Sequence, residues 1–149
     1  MTPYRTEQFI NSILKNSFHQ KHYIDKTQLN RIAYQIAKEI FIQTGEKVVQ
    51  ETFTVSYFTP ALSSVNVYYL QIHDGRTIRE YMKNNSERAE FINDEKINSI
   101  ILQVWNRTKC MPLSVMLSEL PTSNNTFSTY DDQLLLAGLE KTFLRKTII

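Results

Sequence analysis

The stretch Leu29-Asn-Arg-Ile-Ala-Tyr-Gln-Ile-Ala-Lys-Glu-Ile-Phe-Ile-Gln-Thr-Gly45 carries the most regular hydrophobic pattern in the chain. Its apolar residues recur every three or four positions and therefore form one continuous stripe on a helix. Asp25 or Thr27 can cap the start of this helix by accepting a hydrogen bond from an N–H group of the first turn. Gly45 can adopt the left-handed conformation that ends a helix. The stretch predicts a long helix with one apolar face in a core.

Helical spacing recurs on both sides of this stretch. A first helix is expected over about residues 5–18, and a later one is expected to begin after Asp94 as its cap. A short helix is predicted between Pro112 and Pro121, because proline suits a first turn and stops a helix. The chain is predicted to end in a helix that starts at Asp131 and Asp132. The apolar positions of the first and the later helix are Phe9, Ile10, Ile13, Leu14 and Phe18, and Ile97, Ile100, Ile101, Val104 and Trp105.

Residues 52–82 interrupt the helical pattern. Alternation over residues 53–58 predicts a short strand that Pro60 ends, with Thr59 as the cap of a following helix. Residues 77–82 fit either a second short strand or one turn of helix. The predicted fold is therefore mainly α (α+β), with five to six helices packed around a small two-stranded β element. We expect a single domain over residues 1–149.

Composition limits the classes of protein to which this chain can belong. The chain of 149 residues is 42% hydrophobic and 21% charged, which is ordinary for one globular domain. Its net charge of +2 comes without a Lys/Arg-rich block, so nucleic acid is not the expected partner. No apolar run reaches the roughly 20 residues that span a bilayer. One cysteine and an N-terminus without an apolar signal core predict a cytoplasmic protein. The composition is compatible with a homo-oligomer.

Residue types that carry chemistry occur without the spacing that chemistry needs. His19 and His22 could begin a metal site, but no CxxC or HExxH motif completes it. Cys110 has Lys109 beside it and no placed base, which is more typical of an inert thiol than of a nucleophile. Three glycines are too few for a phosphate-binding loop. We therefore expect no catalytic residue, no metal ligand and no cofactor.

Tyrosine is concentrated around Pro60. Neighbouring residues on a helix cannot both face one core, so at least one of Tyr68 and Tyr69 should be partly exposed. Tyrosine suits interfaces because it offers a large contact area for little lost rotamer entropy. Packing of a small domain explains the same residues about equally well. The predicted partner-binding residues are Tyr57, Phe58, Pro60, Tyr68 and Tyr69, with Arg79 at the rim.

The order of these segments resembles the Panacea domain family of bacterial and prophage antitoxins and phage-associated proteins. The resemblance covers about residues 8–125, and the family's Trp, the Gly before its Pro and its Thr-His are replaced by Ser56, Thr59 and Pro121-Thr122. The corresponding segments are Leu29-Asn-Arg-Ile-Ala-Tyr34, Gly45-Glu-Lys47, Val55-Ser-Tyr-Phe-Thr-Pro-Ala61, Ser64-Val-Asn-Val-Tyr68, Thr77-Ile-Arg-Glu-Tyr81, Val104-Trp105 and Leu117-Ser-Glu-Leu120.

The resemblance implies a mainly helical fold with no known catalysis. It also implies function through direct protein contact, since members of the family neutralise toxins and some are linked to proteolytic adaptor activity. The expected partner is therefore a protein, either a toxin or a host factor, and the expected role is that of an antitoxin or a phage-encoded modulator.

A second hypothesis is a nucleic-acid-binding regulator. The predicted helices of residues 112–120 and 131–145 could mimic a helix-turn-helix. Their connection of about ten residues is longer than the usual three or four, and Asp131 and Asp132 would repel phosphate. The sequence therefore favours a protein-binding module.

Overall fold

Helix α2, Lys26–Thr44, lies at the centre of the fold in a computed structural model, which describes residues 3–56, 59–73 and 76–111. The Asp25 carboxylate caps the helix by accepting a hydrogen bond of 2.8 Å from the backbone N–H of Gln28. Gly45 ends it with a φ of 73°, and its N–H donates to the carbonyl of Phe41. Both ends of the helix match the prediction.

The described part of the chain contains three further helices and is mainly helical, as predicted. They are α1 (Thr6–His19), α3 (Ser63–His73) and α4 (Glu95–Thr108), and α4 begins after Asp94 as expected. Helix α2 contacts α3 and α4, and α1 also contacts both. None of these described helices is both long and apolar enough to cross a lipid bilayer. The largest fully buried side chains are Trp105, Tyr34, Tyr69, Phe9 and Phe53.

A short antiparallel strand pair contacts α2. It consists of β1 (Thr54–Ser56) and β2 (Thr59–Ala61), with Val55 opposite Pro60. The prediction that Pro60 ends the strand and opens a helix is wrong, because Pro60 lies within β2 and α3 begins at Ser63. Each strand of a pair has one edge without a ladder, where the missing N–H of proline is tolerated.

Side chains from distant segments hold the start of α3, in place of the predicted cap Thr59. The Glu51 carboxylate accepts hydrogen bonds from the backbone N–H of Ser64 and the hydroxyl of Thr6, at 3.0 and 2.6 Å. The buried Asn30 accepts a bond of 3.0 Å from the N–H of Leu62. N–H groups at a helix start need such acceptors, and here α1, α2 and α3 are joined through them.

Residues 77–82 form neither the predicted strand nor a helical turn. Their backbone is bonded to other parts of the chain instead: the N–H of Ile78 donates to the carbonyl of Ile24 at 2.7 Å, and Met82 bonds to the Asn11 side chain. An extended segment can satisfy its polar groups in this way without a ladder partner. The predicted helices at residues 112–120 and 131–145 lie outside the described residues.

Candidate functional site

The six residues predicted to bind a partner do not form one exposed patch. Pro60 and Tyr69 are buried, so neither can touch a partner directly, and their assignment to a contact surface is corrected. Tyr68 is half-buried and Arg79 is exposed. Tyr57 and Phe58 lie outside the described residues.

Tyr69 is a core residue with a satisfied hydroxyl. Its side chain is 0% exposed, its ring meets that of Tyr68 edge-on at 4.9 Å between centroids, and its O–H donates to the carbonyl of Glu80 at 2.8 Å. Burial, followed by the charges of Tyr68 and Glu80, raises the pKa of Tyr69 well above its ordinary value. Adjacent helix positions thus divide the two tyrosines between the core and the surface.

This burial predicts a stability that falls at alkaline pH. An unfolded tyrosine ionises near pH 10.0, whereas folded Tyr69 keeps its proton, so its contribution is complete below that pH and is lost as pH rises towards the folded pKa. Tyr69→Phe should be less stable at pH 7 by about 1 kcal/mol, through the lost hydrogen bond. That difference should shrink above about pH 10. Urea unfolding of both proteins from pH 7 to 11 measures it, and a constant difference would contradict the assignment.

Five half-buried aromatic residues form a row on the surface, which we call the aromatic band. Tyr81 stands at its middle, with its ring centroid 4.7 Å from that of Phe18 and 5.0 Å from that of Phe91. Phe18 continues to Tyr23 at 6.2 Å. Tyr68 reaches the same segment through its hydroxyl, which donates to the carbonyl of Tyr81 at 3.4 Å and accepts from the N–H of Lys83 at 3.2 Å. The band consists of Phe18, Tyr23, Tyr68, Tyr81 and Phe91.

A tight turn at the end of α1 brings Phe18 and Tyr23 together. Lys21 has a φ of 54°, the left-handed conformation that commonly follows a helix. The N–H groups of Lys21 and His22 donate to the carbonyls of Phe18 and Ser17, at 3.2 and 2.9 Å. This pattern is a Schellman motif, which reverses the chain within one turn. It fixes one end of the band.

Two polar residues of α1 hold the other end. The buried Asn11 donates to the carbonyls of Met82 and Glu90, at 2.7 and 3.0 Å, and accepts from the N–H of Met82 at 2.8 Å. The hydroxyl of Ser12 accepts a bond of 2.9 Å from the N–H of Ile92. Each bonded backbone group directly adjoins Tyr81 or Phe91 in sequence. Helix α1 therefore positions the rings of Tyr81 and Phe91 through the backbone beside each of them.

A compact turn connects these two anchored segments. Lys83 and Ala89 form an antiparallel bridge, and the Asn84 carboxamide oxygen accepts from the N–H groups of Ser86 and Arg88, at 2.9 and 3.1 Å. Asparagine commonly bonds its own downstream backbone in this manner. Glu87 takes a φ of 58° within the turn. The turn is thus closed by its own bonds, beside the band.

Cations lie against both ends of the band. The guanidinium carbon of Arg79 is 3.9 Å from the ring centroid of Tyr23, and Lys15 Nζ is 5.6 Å from that of Phe91. Both distances are within the range of cation–π contacts. The Ile78–Ile24 hydrogen bond brings the segment of Arg79 next to Tyr23. Arg79 is therefore at the rim of an aromatic surface, although its ring partner is not one of the predicted tyrosines.

The residues considered for catalysis or metal binding are dispersed. His19 and Cys110 are exposed, whereas His22 packs edge-on against Trp105 at 5.8 Å, with Nε2 3.2 Å from the carbonyl of Lys109. In residues 3–56, 59–73 and 76–111, no group of three or more His, Cys, Asp or Glu is placed to hold a metal ion.

A polar cleft of about 400 Å³ lies between the start of α2 and the end of α4. Asp25, Gln28, Arg31 and Lys109 line it, and burial lowers the pKa of Arg31 although Asp25 opposes the shift. The Asp25 carboxylate is already engaged as the cap of α2. The cleft mixes both signs of charge, so it defines no ligand class as clearly as the band does.

Comparison with family models, with curated proteins and with solved structures finds no match to this chain.

Four residues of the band were missed by the sequence analysis: Phe18, Tyr23, Tyr81 and Phe91. The segment of Phe18 and Tyr23 lies far in sequence from those of Tyr81 and Phe91, and no local pattern brings them together. One signal was available, because Asn11 and Ser12 interrupt the apolar stripe of α1 and buried polar side chains must find partners. Such residues predict that α1 forms hydrogen bonds to another segment of the chain, but they do not identify that segment.

Proposed function

We propose that this chain is a non-enzymatic, cytoplasmic protein-binding domain of Panacea type, which acts as an antitoxin or a phage-encoded modulator. It masks the working surface of a toxin or host protein by direct contact. The observation that carries the proposal is the aromatic band, because half-buried rings flanked by arginine are typical of interface centres. The sequence resemblance supports the Panacea assignment and the absence of catalysis.

The band suits recognition because its rings are held before any partner arrives. Hydrogen bonds from Asn11, Ser12 and the Schellman turn fix the backbone on either side of the rings. The Tyr81 ring is also packed between Phe18 and Phe91, at 4.7 and 5.0 Å between centroids. Rings that are already ordered lose little entropy on binding, so more of the contact energy becomes affinity.

Replacing Tyr81 with alanine tests the proposal. Truncation of a hot-spot aromatic removes about 2 kcal/mol or more of binding free energy, so the affinity for the partner should fall about thirtyfold and its capture should fall with it. Tagged wild-type and variant proteins are incubated with an extract of the native cells, and the bound proteins are quantified by mass spectrometry. Circular dichroism verifies that the variant is folded.

Phe41→Ala is the matched control. Phe41 is another partly buried aromatic residue, but it lies about 22 Å along α2 from the end of that helix nearest Tyr23. The control should retain the partner that Tyr81→Ala loses. Equal recovery of the same proteins by all three baits would remove the band as the contact surface.

A further inference from the structure

Two of the segments that form the aromatic band are strongly cationic, although the whole chain has a net charge of only +2 and the segment of Phe91 is acidic. The segments 15–23 and 76–83 supply three of its rings. These segments contain five basic side chains and one acid, Glu80, and all six are exposed. The basic residues are Lys15, Lys21, Arg76, Arg79 and Lys83. A local excess of this kind selects for a negatively charged ligand.

Two of these cations are fixed in positions suited to carboxylates. Arg79 and Lys15 rest on ring faces and, within the described part of the chain, neither forms an ion pair. A guanidinium stacked on a ring still presents its N–H edge, which matches a carboxylate in a bidentate pair. The nearby acid Glu90 is paired with Arg5 and Asn84, so it does not neutralise these two cations.

A cleft of mixed polarity extends the band beyond Phe91. The cleft has a volume of about 390 Å³ and lies between α1 and α4. Phe91, Ile92 and Leu102 form its apolar part, and Lys15, Glu95 and four uncharged polar residues complete its lining. Leu102 is 42% exposed, so its side chain is accessible from the cleft. Lys15 therefore stands where an aromatic row meets a cleft that can hold an aliphatic side chain.

We propose that the band and this cleft together bind an acidic peptide segment of the partner, in which carboxylates alternate with apolar residues. The inference rests on the proposed function and adds the chemistry of the bound segment. Apolar side chains lie on the rings and in the cleft, while carboxylates pair with Arg79 and Lys15.

The test is a selection from a displayed library of random 12-residue peptides on the full-length protein. We expect the selected peptides to be enriched in Asp and Glu next to Leu, Ile, Phe or Tyr. Their dissociation constants, measured by fluorescence anisotropy, should rise about tenfold for the double variant Lys15→Glu, Arg79→Glu, and should also rise with salt concentration. Lys96→Glu is the control, since it makes the same charge reversal as each single substitution, at an exposed site on α4 outside the band.

Each outcome separates this inference from the proposed function. Selected peptides that depend on Tyr81 but carry no acidic enrichment would overturn the inference and leave the protein-binding function standing. Peptides insensitive to both Tyr81→Ala and the charge variants would overturn both proposals. Failure to select any peptide, or displacement of the selected peptides by a 12-nucleotide oligothymidine at lower concentration than by acidic peptide, would also overturn the inference.

Discussion

Replacing Asn11 with alanine is expected to lower the free energy of unfolding by about 2–4 kcal/mol. The substitution removes three hydrogen bonds and leaves the N–H and carbonyl of Met82 and the carbonyl of Glu90 without their partner in the protein interior. Each buried polar group left unsatisfied costs about 1–3 kcal/mol, and the higher helix propensity of alanine offsets only about 0.5 kcal/mol. Urea denaturation followed by circular dichroism measures the change.

The same substitution should loosen the aromatic band. Tyr81 and Phe91 directly adjoin the two backbone segments that Asn11 holds, so amide hydrogen exchange at residues 81–83 and 90–92 should accelerate more than exchange in α2. Asn85→Ala is the matched control, because Asn85 is an exposed asparagine in the turn between those segments. The control should change stability by less than about 0.5 kcal/mol. Equal stabilities of the two variants would show that Asn11 does not hold these two backbone segments in place.

Replacing Trp105 with alanine is expected to lower the free energy of unfolding by about 3–5 kcal/mol. Trp105 is 0% exposed, lies on α4, which packs against α1 and α2, and its indole N–H donates to Gln20 Oε1 at 3.0 Å. Truncation removes a large apolar surface and leaves a cavity that neighbouring helices fill only partly. Because the chain contains one tryptophan, the variant is followed by circular dichroism rather than by indole fluorescence.

Trp105→Phe separates packing from hydrogen bonding. Phenylalanine retains most of the buried aromatic volume and loses only the hydrogen bond to Gln20. The loss in free energy of unfolding should therefore be less than half of that caused by Trp105→Ala. Gln20→Ala should cost only about 1 kcal/mol, since Gln20 is an exposed residue. A Trp105→Ala protein as stable as Gln20→Ala would contradict the role of Trp105 in the core.

Helix positions were predictable where local chemistry is sufficient. The stripe from Leu29 to Phe41 defines a buried face, and the caps Asp25 and Gly45 act within one turn of the helix ends. Pro60 was misplaced because its effect depends on whether a neighbouring strand is present, which short-range patterns do not contain. Residues 77–82 were misassigned for a related reason, since the backbone N–H groups of Ile78 and Met82 donate to residues more than fifty positions earlier.

The candidate site was predictable only in part. Helical spacing required Tyr68 and Tyr69 to differ in exposure, but it could not say which one faces the core. The proximity of Phe18, Tyr81 and Phe91 depends on the bonds made by Asn11 and Ser12 over about 70 to 80 positions. Such long-range contacts follow from the packed structure and leave no periodic trace in the sequence.

The self-closed turn of residues 84–88 has an evolutionary consequence. Its own hydrogen bonds and the bridge between Lys83 and Ala89 close it between the segments of Tyr81 and Phe91. Doubling the length of such a loop adds only about 0.6 kcal/mol of closure entropy. Insertions at its exposed tip would therefore change the surface beside the aromatic row at little cost in stability, while Asn11 and Ser12 keep the rings in place.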